Sequence, residues 1–303
     1  MLETPNSRAG FGVFSNFAEG DIRYMKPLKP SEIMDVSIGV GIEKGNGSFL
    51  KLAVLSILAG AFIAFAAEGS NMAAFNLFAD PNTYGLGKVL AGAVFGTGLM
   101  LVVLAGGELF TGNTLMLATL LQKKITITKM LRNWAIVYVG NLLGSLLIAY
   151  MIVNSGLLSS GGDMLGAVTI KIAINKVNLS FIQAFYLGIM CNWLVCLAIW
   201  ISYGAESMVG KIFAIFFPIW LFITSGFEHS VANMYYIPAG IIAKANTNFT
   251  EILNLPQEVL DSLTWKSFYI NNLIPVTLGN IVGGSIMVAG AYWLAYKKGN
   301  STK

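Results

Sequence analysis

Two short polar clusters interrupt strongly apolar stretches of this 303-residue sequence. One is GGELFTGNT, Gly106 to Thr114; the other is SGFEHSVAN, Ser225 to Asn233, which contains the only histidine, His229, beside Glu228. Imidazole is the side chain whose unperturbed titration lies nearest working pH. In apolar surroundings the chemistry open to it is narrow. A small anion moved into a medium of very low dielectric faces a Born cost of order 20 kcal/mol, so it must be met by fixed donors or neutralised by a proton. Backbone amides freed at a helix break, with the positive end of a half-helix, can do the first; a proton donor at a constriction can do the second. If a half-helix starts near Ser230, Asn233 is expected close to the imidazole. Thr111 stands in the other break, where a plain capping role is the alternative. Glu108 and Glu228 would repel an anion if they pointed into its path, so both are expected to brace the loops by hydrogen bonds.

These clusters belong to a chain written for a membrane. Hydrophobic residues make up 55% and charged residues 11%, against about 25% charged in soluble domains, and the mean hydropathy is +0.69. No cleavable signal stands out in the mixed, polar Met1–Gly47 segment. Cys191 and Cys196 share one apolar segment and read as small core residues, neither a disulfide framework nor a metal cluster. The net charge of +4, spread over tails and loops, suits anionic lipid headgroups rather than nucleic acid.

Crossing a bilayer takes about 20 apolar residues in a helix. Six spans are expected: Leu50–Glu68, Leu86–Leu121, Leu131–Ser155, Phe181–Tyr203, Gly210–Ala243 and Asn271–Tyr296. The second and fifth are too long for one crossing and carry the two polar clusters. Lysine and arginine concentrate before the first span, between the second and third, at Lys211 and after the sixth; Lys88, Lys171, Lys176, Lys244 and Lys266 fall on the other side. The positive-inside rule then puts both termini in the cytoplasm. GNLLGS, Gly140–Ser145, in the third span matches GNIVGGS, Gly279–Ser285, in the sixth. Two units of three spans each must enter the membrane with opposite topology, and broken helices at matching places in such repeats point to a permeation site. The expected layout is a cytoplasmic tail over 1–48 with an interfacial helix in Ser31–Gly45 capped by its serine, a channel domain over 49–296, and a cytoplasmic tail over 297–303.

GGELFTGNT, SGFEHSVANMYYIPAGI and NNLIPVTLGNIVGG together resemble the formate/nitrite transporter family, from about Pro30 to the end of the sixth span. The resemblance implies an all-α, aquaporin-like protomer of six spans, assembled as a homopentamer in the plasma (inner) membrane, each protomer with its own pore. It implies that Thr111 is a hydroxyl donor facing the histidine, and that Lys176, in the loop before the fourth span, and Asn192 within that span form a basic entrance leading to a polar interior site. It also implies two constrictions, Phe95, Leu99 and Phe222 on one side of His229 and Leu109, Phe110 and Val195 on the other. Phe95 and Leu99 share a helix face.

The function expected is passage of a small monovalent weak-acid anion, formate first, either passive or proton-coupled through His229. Nitrite, acetate, lactate and hydrosulfide fit the same logic. The partners are then the anion, protons and lipid, with no cofactor or metal. An integral membrane enzyme using His229 with Glu108 or Glu228 is a distant alternative, because no metal-ligand cluster, nucleotide motif or nucleophile accompanies the histidine. A water or glycerol channel would call for paired Asn-Pro-Ala motifs, which the sequence lacks.

Overall fold

The computed structural model describes residues 26–297. Most of the N-terminal tail and all but Lys297 of the C-terminal tail lie outside the described residues, as do four of the cations used for orientation, Arg8, Arg23, Lys298 and Lys303.

The described chain is helical throughout. Helix α1 covers Pro30–Gly45. It starts one residue before Ser31, with Lys29 at the cap position and the Glu32 carboxylate accepting from the Lys29 amide at 2.7 Å, so Ser31 lies inside the first turn. Proline suits that first position because its missing N–H would have no helical partner there. The six helices long and apolar enough to cross a membrane are α2 (Phe49–Ala79), α3 (Tyr84–Gly106), α5 (Ile127–Asn154), α7 (Phe181–Gly204), α8 (Met208–Ser225) and α12 (Trp265–Tyr296). The second broken span is completed by the short apolar helix α4 (Phe110–Leu121), the fifth by α9 (Ser230–Ala243). Ser48, Thr126, Ser180 and Ser207 cap α2, α5, α7 and α8 by accepting from the backbone three residues on, which satisfies amides that a helix cannot pair internally.

Two features depart from the sequence reading. Helix α2 continues to Ala79, past Glu68, because Glu68 is buried and bonded by the Tyr235 hydroxyl; the acid that looked like a membrane boundary lies inside the bundle. The connection between the third and fourth spans is not a plain loop but contains α6 (Met164–Val177), which packs against α9. Two short helices, α10 (Thr247–Leu253) and α11 (Gln257–Asp261), precede the last span.

Helices α2 and α5 pack as one pair and α7 and α12 as another. The approach is close in both: a Cβ on Gly144 would strike the Ile57 carbonyl, and one on Gly283 the Ile189 carbonyl. Small residues permit this backbone approach, the usual way spanning helices associate without a hydrophobic drive between them. Each half-helix then crosses to the other pair: α4 packs on α7 and α12, whereas α9 packs on α5 and α2. Both cysteines are buried in this packing.

Candidate functional site

Both breaks begin at a glycine in the left-handed region, Gly106 at φ +94° and Gly226 at φ +76°, which glycine reaches without a Cβ penalty. The chain then runs extended to Leu109 and to His229, the cap positions of α4 and α9. Extended backbone inside a bundle must find partners outside its own helix, and two asparagines supply them. The Asn141 Oδ1 accepts from the Phe110 amide at 2.9 Å, while its Nδ2 donates to the carbonyls of Ser56 and Glu108. The Asn280 Oδ1 accepts from the Ser230 amide at 2.9 Å, while its Nδ2 donates to the carbonyls of Gly188 and Glu228. These are the asparagines of the two GN motifs, so the matched short sequences mark the clamps of the two breaks.

The acids repeat the pattern. Glu108 forms an ion pair with Lys44 at 2.8 Å and accepts from Asn113, which also donates to Asn133; the Asn133 amide in turn donates to the Lys44 carbonyl. Glu228 forms an ion pair with Lys176 at 2.7 Å and accepts from Asn233, which also donates to Asn272; the Asn272 amide donates to the Lys176 carbonyl. Each carboxylate is therefore held by charge and amides within its own break.

His229 departs from the duplication, since Leu109 occupies the matching position. Its ring is buried. The Nδ1 accepts from the Ala232 amide at 3.0 Å, so in the neutral imidazole the proton is on Nε2. That nitrogen lies 2.9 Å from the Thr111 Oγ1, which accepts from it, leaving the Thr111 hydroxyl proton free to donate elsewhere. Phe222 lies against the imidazole with ring centroids 6.0 Å apart, and Phe95 meets Phe222 edge to face at 5.6 Å. Phe95, Leu99, Phe222, Leu109 and Val195 are all buried.

Two cavities flank this plug. One opens among Lys176, Glu228, Gly226 and the start of α3; the other among Lys44, Leu109, Gly107 and Tyr203. Along α3 the first cavity touches Tyr84, Lys88 and Ala91, the second Val102, Val103 and Gly106, with Phe95 and Leu99 between them.

Four residues make contacts that the sequence reading did not give them. Asn233 sends its amide to Glu228 and Asn272, not to the imidazole, because its place on α9 turns it toward the carboxylate at the start of the break. Asn192 donates to the carbonyls of Thr111 and Asn280 and to the Thr114 hydroxyl, tying α7 to α4 and α12. Lys176 is no loop lysine; it sits in the last turn of α6, paired with Glu228 and 5.3 Å from the centre of the Tyr236 ring. Phe110 packs edge to face on Tyr138 at 4.8 Å and on Trp134 at 6.0 Å, both on α5. Lys44, Asn133, Asn141, Asn272 and Asn280 escaped the sequence reading as site residues. The signal for the clamps was the asparagine inside each GN motif; the two lysines become equivalent only through their carboxylates.

A family model described as formate/nitrite transporter matches residues 31–294. The chain is 43% identical over 262 residues to a probable formate transporter of Methanothermobacter thermautotrophicus, covering 82% of this chain and 89% of that protein. It is 37% identical over 279 residues to the formate channel FocA of Escherichia coli K12, covering 90% and 96%. A solved pentameric formate channel with formate bound superposes with a TM-score of 0.73 at 38% identity, covering 82% of this chain and 97% of that one. With six spanning helices, two clamped breaks and these similarities, the chain belongs to the formate/nitrite transporter family.

Proposed function

We propose that this chain conducts a small monovalent weak-acid anion, formate first, through each protomer of a homopentamer in the plasma membrane, without chemical turnover. The observation that carries this reading is the His229–Thr111 pair, an uncharged donor site between two apolar plugs with a cavity beyond each. An anion there meets the Thr111 hydroxyl proton. Lys44 and Lys176 are each compensated by a carboxylate, so the centre offers hydrogen bonds instead of a deep electrostatic trap. Nitrite has the same charge and acceptor geometry and fits the same path. The family relatives and the pentameric neighbour support formate and the pentamer.

The duplicated clamps support two inverted units of three spans, and the lysine and arginine pattern supports cytoplasmic termini, with 1–48 and 297–303 as tails on the channel domain 49–296. Proton-linked passage needs a second proton on the imidazole at Nδ1, where the Ala232 amide now donates. The α9 cap must therefore open in each such cycle. The proton already on Nε2 can then pass to the Thr111 Oγ1 as that hydroxyl gives its own proton to the carboxylate, leaving neutral acid and a neutral imidazole that keeps its proton on Nδ1. The test is anion-driven swelling or uptake in proteoliposomes with formate, nitrite, acetate and lactate, each at two pH values. Impermeability to all of them would overturn the proposal.

A further inference from the structure

The cavity on the Lys176 side holds two polar groups that the breaks do not use. Lys88, near the start of α3, has its Nζ 5.8 Å from the centre of the Phe78 ring and 5.6 Å from that of Tyr84. Among the described residues it pairs with no carboxylate. The Nζ lies 3.9 Å from the point where a Cβ would stand on Gly226, which puts the charge beside the second break. Asn71, on α2, is 2% exposed, lines the same cavity, and its amide nitrogen has no hydrogen-bond partner. Leaving a buried donor unpaired costs about 1–3 kcal/mol, a penalty that an acceptor in the cavity would remove.

The charges around this cavity do not cancel. Glu228 is the one carboxylate among its described lining residues, against Lys88, Lys171 and Lys176. It is already engaged by Lys176 at 2.7 Å. Lys171 is exposed, so Lys88 is the uncompensated cation set against the bundle. On α3, Lys88 and Phe95 are seven residues apart and share a face, with Lys88 about 10 Å outward from the plug.

We propose that Lys88 and Asn71 form a binding site for a small carboxylate in this cavity, a holding position separate from the His229–Thr111 pair. Lys88 supplies the charge and Asn71 an amide donor. The flanking Phe78 and Tyr84 rings shield the ammonium from water, which strengthens its hold on an anion. Lys176 keeps Glu228 neutralised. This inference rests on the anion-conducting reading above.

The test uses full-length protein in liposomes, with formate uptake measured against concentration at low ionic strength and at high salt. Lys88→Met and Asn71→Leu are expected to raise the half-saturation concentration about tenfold at low salt, within the range by which local charge concentrates small ions. Maximal flux should stay near wild type, and the Lys88→Met deficit should shrink as salt screens the charge. Lys88→Arg should behave like wild type. In detergent, formate should raise the unfolding temperature of the wild-type protein more than that of Lys88→Met. An unchanged half-saturation concentration in Lys88→Met would overturn the site, as would a Lys88→Arg variant as impaired as Lys88→Met. No wild-type flux with Lys88-dependent stabilisation by formate intact would reject conduction while keeping the site.

Discussion

The Nε2 of His229 and the Oγ1 of Thr111 meet at 2.9 Å across the junction of two half-helices whose sequence positions are 118 residues apart. Because the Nδ1 of His229 is occupied by the Ala232 amide, the direction of the bond is set, and the threonine hydroxyl is the group left to face a ligand. Replacing His229 by Asn keeps a hydrogen-bond donor and removes titration. Uptake of formate driven by an acid exterior is expected to collapse while a pH-independent anion leak persists. A variant with wild-type rate and wild-type pH profile would return the histidine to packing alone.

Thr111→Val removes the acceptor of the His229 Nε2 proton in a fully buried place. The orphaned donor should cost about 1–3 kcal/mol of stability, and formate flux should fall further than thermal stability accounts for. Thr111→Ser should recover both. Equal flux in the valine and serine variants at matched protein incorporation would argue against the hydroxyl as an anion contact.

Lys176 and Glu228 are partners, so their substitutions should not add. Lys176→Met leaves a buried carboxylate without its cation, a loss on the order of 3–5 kcal/mol. Glu228→Gln in the same chain should restore most of that, because the glutamine can still accept from Asn233 and Asn272. A double-mutant cycle on unfolding temperature in detergent measures the coupling; additive losses would mean that the pair is not the brace its geometry describes.

Asn141→Leu and Asn280→Leu each delete three hydrogen bonds to backbone, two at equivalent places in a break and one to a carbonyl of a neighbouring spanning helix, Ser56 on α2 or Gly188 on α7. With the break carbonyl and one amide orphaned, each variant should lose several kcal/mol, about 1–3 per group. Similar losses in both are the expected result, read as folded yield and thermal stability. Tolerance of either leucine would show that its break is held by other bonds.

Topology has a direct readout. A reporter fused after Lys303 should lie in the cytoplasm, and one inserted near Leu255, between α10 and α11, should lie outside. The reverse labelling would remove the charge argument and the inverted-unit reading with it.

The membrane class, the six spans and the two breaks were determined by sequence, because apolar run length and local polar interruption are one-dimensional properties that no packing can alter. The GN motifs and the paired glutamates also marked the two breaks, since a clamp that recurs in both breaks leaves a recurring local string. Other features depend on how distant helices meet. That Asn192 ties three helices together and that Phe110 packs on Tyr138 follow from the angle at which each half-helix enters the opposite pair, which no local spacing encodes. Glu68 looked like the end of a helix because charge stops a hydropathy window; only the tertiary structure puts Tyr235 against it and lets α2 run on to Ala79. Lys44 and Lys176 occupy unlike sequence surroundings, one on the helix before the first span and one on the helix before the fourth. Their equivalence was decided by folding, because a buried carboxylate needs a cation and each break finds the lysine that its own bundle carries to it.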